Sequence, residues 1–191
     1  MTVGEVVWKE FTAALQEAAT LGEQISRQQE AVEEEEARTL AALVEKTRPV
    51  LPYISGKVLV RYYHPGGQFA EAEKDYIEGI VVVDEFRRKC EGSDDTRGTC
   101  TGQQLVLTRK GVLLVLTREG HWSNWQNEPS SWQAEAKEVT PLEAVQRFDF
   151  ADIVQGLVDG LREAINETEK KRKQLEKRAS RLAGSKKLVE D

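Results

Sequence analysis

The chain predicts an α+β protein: a small antiparallel β domain inserted between two long N- and C-terminal helices that pack as a coiled coil. Three observations predict it. Near the C-terminus, Val154, Leu157, Leu161, Ala164, Thr168, Lys171, Leu175, Arg178 and Leu182 follow one another at alternating steps of three and four, with Ile165 just beside the line. An α-helix turns once in 3.6 residues, so this spacing draws one narrow stripe of the kind that zips against another helix. A matching stripe opens the chain. Between the two, β-branched and aromatic runs alternate with glycine and proline turns. The expected organisation is an N-terminal helical arm over 1–48, a β domain over 49–139 and a second helical region over 140–191.

The N-terminal helix is predicted from Val3 to Thr47. Val7, Phe11, Ala14, Ala18, Leu21, Ile25, Gln28 and Val32 keep the alternating steps. After Val32 the line slips by about one residue and continues through Glu36, Leu40, Leu43 and Thr47, a stutter that relaxes the supercoil locally. Forty-five residues at this pitch make a rod of roughly 66 Å. Pro49 disfavours helical geometry in the residue before it, so the helix should end at Arg48.

In the middle region, Val58–Tyr63 reads as a strand closed by Pro65-Gly66-Gly67, and Tyr76–Phe86 as a second. Gln104–Thr108 and Val112–Thr117 flank Arg109-Lys110-Gly111, a hairpin with glycine where a positive φ is needed. Weaker strands are expected over 121–126 and 132–137, with a polar loop over 91–99. Strands in such close succession imply an antiparallel sheet or small barrel. Thr140-Pro141-Leu142-Glu143 then combines an N-cap threonine, a proline at the first helical position and a glutamate at the third, a capping box. A short helix to about Phe148 should follow, with Asp149 capping the long helix; one kinked helix running on from Thr140 is the alternative. Gly184-Ser185-Lys186-Lys187 reads as a frayed tail.

Within one chain the two helices can return as a hairpin, or each can pair with a second copy. A hairpin that sets Thr47 level with Asp149 leaves the acidic run Glu33–Glu36 facing 160–163 rather than the basic run Lys170–Lys173. Both runs are also explained as solvated faces, with Glu167–Lys171 and Glu169–Lys173 as local pairs.

Composition narrows the function classes. Charged residues are 31% of the chain and aromatics 7%, with a formal net charge of −6. That balance suits exposed helices, and net acidity argues against general nucleic-acid binding, which depends on neutralising phosphates. No charged-then-apolar leader opens the chain and no apolar run reaches the roughly eighteen residues that span a bilayer. The expectation is a soluble cytoplasmic protein without a membrane anchor.

Candidate chemistry is sparse. Trp122, Trp125 and Trp132 lie close together with His121 and Asn124 among them, which reads either as an aromatic platform for a ligand or as part of a small core. In a regular strand Trp122 and Trp125 point to opposite faces. Cys90 and Cys100 could close a disulfide in an oxidising setting or in a thermophile, and otherwise stay thiols. Their nine-residue gap lies outside zinc-knuckle spacing, and Asp94-Asp95 lacks the ligand alternation of a calcium loop, so neither metal nor cofactor is expected. No nucleophile elbow, redox C-x-x-C or phosphate-binding glycine motif is present, so a catalytic role has no motif behind it. Gly156 and Gly160 suggest close helix packing or a flexible joint.

The leading expectation is a non-enzymatic interaction or assembly module. It would be a homodimer or bind another protein through Phe11, Leu21, Ile25, Val32, Leu40, Leu43, Leu157, Leu161, Ile165, Leu175 and Leu182, and present a β-domain surface. A nucleic-acid accessory protein using the basic C-terminal helix, and a ligand binder or enzyme using His121, Trp122 and Trp125, are the alternatives.

Overall fold

The computed structural model describes residues 3–54, 56–67, 70–91, 94–125 and 130–190, with side chains at all of these except 3–7, 9, 88–91, 94–95 and 181–190. Helix α1 spans Val3–Thr47 and is followed by one 3₁₀ turn, Leu51–Tyr53. Six strands come next: β1 (Lys57–His64), β2 (Glu73–Asp84), β3 (Arg87–Glu91), β4 (Asp94–Thr108), β5 (Leu113–Ser123) and β6 (Ser130–Glu138). Helices α2 (Pro141–Val145) and α3 (Phe150–Glu190) complete the chain.

The strands are antiparallel throughout. β1 pairs with β2, β2 with β4, β4 with β5, β5 with β6 and β6 with β1, which closes a five-stranded barrel; β3 lies outside the ring, against the first half of β4. Strand β4 changes partner in its middle. Thr101 still faces Arg87 of β3, whereas Gln104 faces Asp84 of β2. Gly102 sits at the change with φ +144°, a backbone state a side chain would strain.

Of the expected polar loop over 91–99, the described residues belong to β3 and β4, which pair with each other. Of the expected strand over 121–126, 121–123 form the end of β5, 124–125 lie past it and 126 lies outside the described residues. A period of two was the signal. Arg97, Thr99 and Thr101 are exposed while Gly98 and Cys100 are buried, so polarity marked the outer face of a strand rather than a loop. The expected tail at 184–187 is also helical, because one glycine among helix formers costs only about 1 kcal/mol and no proline follows it.

Two apolar clusters hold the domain. Inside the barrel lie Val58, Val106, Leu116 and Ala134, with Val60, Ile77, Val81, Phe86 and Leu114 against them. The larger cluster lies between the outer barrel face and the helices. Ile80, Val82, Leu105, Leu107, Leu113 and Val115 meet Leu40 and Val44 of α1, Ala144, Val145 and Phe148 around α2, and Ile153, Leu157 and Ala164 of α3. The end of β4, Gln104–Thr108, is therefore buried on both faces, which explains why that stretch is largely apolar without alternation.

Helix α3 lies so close to β2 that a Cβ on Gly156 would stand 1.6 Å from the Val82 carbonyl oxygen, and one on Gly160 3.2 Å from that of Val81. The glycine pair is a packing device, not a joint. At the other helical junction the capping box is complete. Thr140 Oγ1 accepts from the Glu143 N–H at 3.2 Å and Glu143 Oε2 accepts from the Thr140 N–H at 2.8 Å. Asp149 Oδ1 accepts from the N–H groups of Ala151 and Asp152, capping α3.

The Thr140 hydrogen bonds, helped by Lys137 and Arg147, hold the Glu143 carboxyl below its ordinary value of 4.5. Its contribution to stability is thus full above that pH and is lost as pH falls through the lowered value. Thr140→Ala should lower stability by about 1 kcal/mol, which at this chain length moves the melting temperature by roughly 2–4 °C. Thermal melts across pH should show the gap between the parent and Glu143→Gln closing in acid.

Among the described residues, coiled-coil packing of the two long helices is not shown: α1 packs on α2 and α3 on β2 only where each crosses the body, not in the register the hairpin requires. Gln146, just before α3, donates to Glu33 at 2.9 Å, and Thr168 lies beside Tyr53, just after α1. Thr47 is therefore not level with Asp149. The helices cross the barrel in the same general direction. The free part of α1 leaves past α2, and that of α3 leaves past the 3₁₀ turn, at the opposite end.

Candidate interaction surface

The tryptophan region is built by β5 and β6 at one mouth of the barrel. Leu114, Leu116, Arg118, Gly120 and Trp122 share the inward side of β5, and across from them Gly102, Cys100 and Gly98 of β4 are small. That leaves room for bulk. Trp132 of β6 packs directly over Gly120, where a Cβ would meet the Trp132 Cβ at 2.4 Å. The Arg118 guanidinium lies between the rings of Phe86 and Trp132, 3.6 and 3.5 Å from their centroids, and Trp132 stacks on Tyr62 at 6.5 Å. A planar cation between two aromatic faces is well held. The mouth is filled by the protein's own groups.

The candidate ligand residues are accordingly divided. Trp122 is buried and Trp132 partly so, within this plug. His121 and Asn124 are exposed, and Trp125 lies beyond the end of β5, 53% exposed, with its indole N–H donating to Thr96 Oγ1. Of the five candidates, His121 and Trp132 line one open hollow of about 350 Å³ beside Tyr62 and Gly120, whereas Trp122, Asn124 and Trp125 do not line it. The structure also brings Tyr62, Phe86 and Arg118 to Trp132. Their signal was parity: Arg118 falls two and four residues after Leu116 and Leu114, on the apolar side of a strand.

Acrylamide should reach Trp8 and Trp125 but not Trp122. A variant with Trp8→Phe and Trp125→Phe should therefore emit further to the blue and quench several-fold less than the parent. Undiminished quenching would mean an open barrel mouth.

Cys100 is buried on the inward side of β4, opposite Arg88. Cys90 pairs with Gly98, two positions along, and its side chain lies outside the described residues, as does that of Leu182. No group of three or more metal-ligating side chains occurs among the described residues, and no described helix is long and apolar enough to cross a membrane.

The helices carry the other candidate surface. Leu40, Leu43, Leu157 and Leu161 belong to the cluster against the barrel. Phe11, Leu21, Ile25 and Val32 of α1, together with Trp8 and Leu15, are each more than half exposed, as are Ile165 and Leu175 of α3. The stutter after Val32 is where α1 changes partner: positions beyond it dock, positions before it are bare. At the root of the α3 arm, Val50, Tyr53, Ile54, Leu161, Ala164 and Ile165 line an apolar hollow of about 330 Å³.

Charge follows the same division. Glu33 sits where α1 reaches the body, its carboxyl held below the ordinary value by hydrogen bonds from Gln146 and then Gln29. On α3, Glu167 pairs with Lys170 at 2.6 Å rather than with Lys171, which lowers the Glu167 value and raises that of Lys170; Arg172 pairs with Glu176. These are exposed pairs within one helix, weak determinants of geometry. No family model matches the chain, and neither a curated protein nor a solved structure is detectably similar to it.

Proposed function

We propose that the protein is a non-enzymatic assembly module that oligomerises through its long helices and presents the barrel to a protein partner. One observation carries this reading: among the described residues, the apolar line from Trp8 to Val32 is more than half exposed along the arm that precedes Glu33, where α1 bonds to Gln146. Apolar faces of that extent mark interaction sites. An isolated helix gains little until its stripe is covered, and covering half-exposed side chains of this size returns about 1 kcal/mol each.

The barrel serves the same reading. Its helix-facing side is covered by α1, α2 and α3, while a hollow of about 690 Å³ lined by Ile77, Arg109, Val112 and Leu114 opens beside the 109–111 turn. The surface left for a protein partner is the part of the barrel that the helices do not cover. Light scattering after size exclusion tests the proposal. A mass of at least twice 21.5 kDa is expected at micromolar concentration. A monomer at every concentration would remove it.

A further inference from the structure

Resting on the reading that the long helices assemble, we propose that the partner is a second copy and that the seam is heterotypic. The acidic arm of α1 in one copy lies antiparallel along the basic arm of α3 in the other, twice, about a two-fold axis.

Charge excludes the simpler pairings. Residues 3–36 carry nine carboxylates and two cations, whereas 166–190 carry nine cations and four carboxylates. Pairing α1 with α1, or α3 with α3, would bring together arms of the same net charge, whereas pairing α1 with α3 brings together arms of opposite net charge. Within one chain that match is out of reach, because the two arms leave the body at opposite ends.

Symmetry then supplies the geometry. Turning a second copy by 180° places its α3 arm at the end from which the first copy's α1 arm departs. The same operation serves the other two arms, so the contact closes as a dimer instead of growing into a filament. The sense of the chains makes each seam antiparallel. Glu33–Glu36 lies where α1 meets the body and Lys170–Lys173 just beyond Thr168, where α3 leaves it, so the acidic and basic runs come level. At about 1.5 Å per residue the arms beyond the body are roughly 45 and 33 Å long, comparable lengths for one seam. The apolar hollow beside Tyr53 and Ile165 continues the seam onto the body.

The test uses two full-length variants, Glu30→Lys/Glu34→Lys/Glu35→Lys and Lys171→Glu/Arg172→Glu/Lys173→Glu. Both spare Glu33 and Lys170, whose hydrogen bonds are described above. Each alone should weaken self-association by roughly a hundredfold, since every seam contact it touches turns from attraction to repulsion. An equimolar mixture should restore the dimer, because the reversed arms then complement each other. High salt should weaken the parent dimer and, by screening, relieve the defect of each variant.

Sedimentation velocity reads the masses, and circular dichroism with thermal melting checks that each variant is folded. If both variants dimerise as tightly as the parent, the seam is homotypic or purely apolar: this inference fails and the assembly reading survives. If each variant is monomeric and the mixture remains so, complementarity between the arms is refuted. If the parent is monomeric, both readings fall. Should the basic-arm variant dimerise normally but lose salt-sensitive binding of an oligonucleotide that the parent binds, the basic arm faces nucleic acid and the inference is overturned.

Discussion

A chain carrying Phe11→Asp and Ile25→Asp should elute as a monomer of 21.5 kDa under conditions where its parent is at least a dimer. Both side chains are more than half exposed, so their replacement removes nothing from the core of the single chain. Within an assembly each aspartate would have to be desolvated against an apolar stripe. Burying a charge without a partner costs several kcal/mol. Two such changes per arm exceed what a seam of half-buried residues supplies. The arm should also lose helix signal in circular dichroism, since an uncovered stripe does not sustain it. The tryptophans inside the barrel should keep their near-ultraviolet spectrum. Unchanged mass in this variant would exclude the exposed line of α1 as the assembly surface.

Alanine at three helical glycines should give three different results, although the chemical change is identical. At Gly156 the new methyl would fall 1.6 Å from the Val82 carbonyl oxygen, so α3 must lift off β2. Lifting it uncovers Ile153 and Leu157, which are almost fully buried there. The expected loss is about 3 kcal/mol or more, near the upper end for a single substitution. That corresponds to a fall of roughly 10 °C in melting temperature. At Gly160 the methyl would meet the Val81 oxygen at 3.2 Å, a crowding that the gain in helix propensity of about 1 kcal/mol nearly offsets. At Gly22 nothing lies within 4 Å, and the same gain should appear undiminished. Thermal melts of the three variants decide it. A mild effect at Gly156 would mean that α3 does not seat on β2 as described.

The features legible in the sequence were those whose causes lie within a few residues. Proline after Arg48, the Thr140–Glu143 box, Asp149 as a cap and the glycine of the 109–111 turn, which has φ +78° at Gly111, each act locally. Periodicity extended this reach to α1, whose observed span Val3–Thr47 is the expected one. The stutter after Val32 was legible as a change of phase, but its meaning was not. Nothing local states that the residues after it dock on a barrel and those before it do not.

The candidate site was less legible for a related reason. Three tryptophans close in sequence suggest one platform, yet their directions depend on where β5 ends and on which side of it faces inward. Ser123 ends the strand, so Trp125 falls outside the alternation that places Trp122 inside. Apart from its parity, Arg118 carries no local sign of its place, because a charged residue is ordinarily expected on the solvent face. Two aromatic rings, Phe86 from the corner before β3 and Trp132 from β6, bring it onto the inward side.

By itself the sequence determined the α+β class, the two long helices with their stripes, most strand cores and the helix caps, because backbone propensity, capping and periodicity are short-range. Tertiary structure alone decided that the sheet closes through β2–β4 and β1–β6, and that β4 extends through what read as a loop. It also decided that the helices leave the barrel at opposite ends. Those outcomes rest on pairings between residues far apart in the chain. Which face of an element is buried, and which way an arm departs, is fixed only when its distant neighbour is in place.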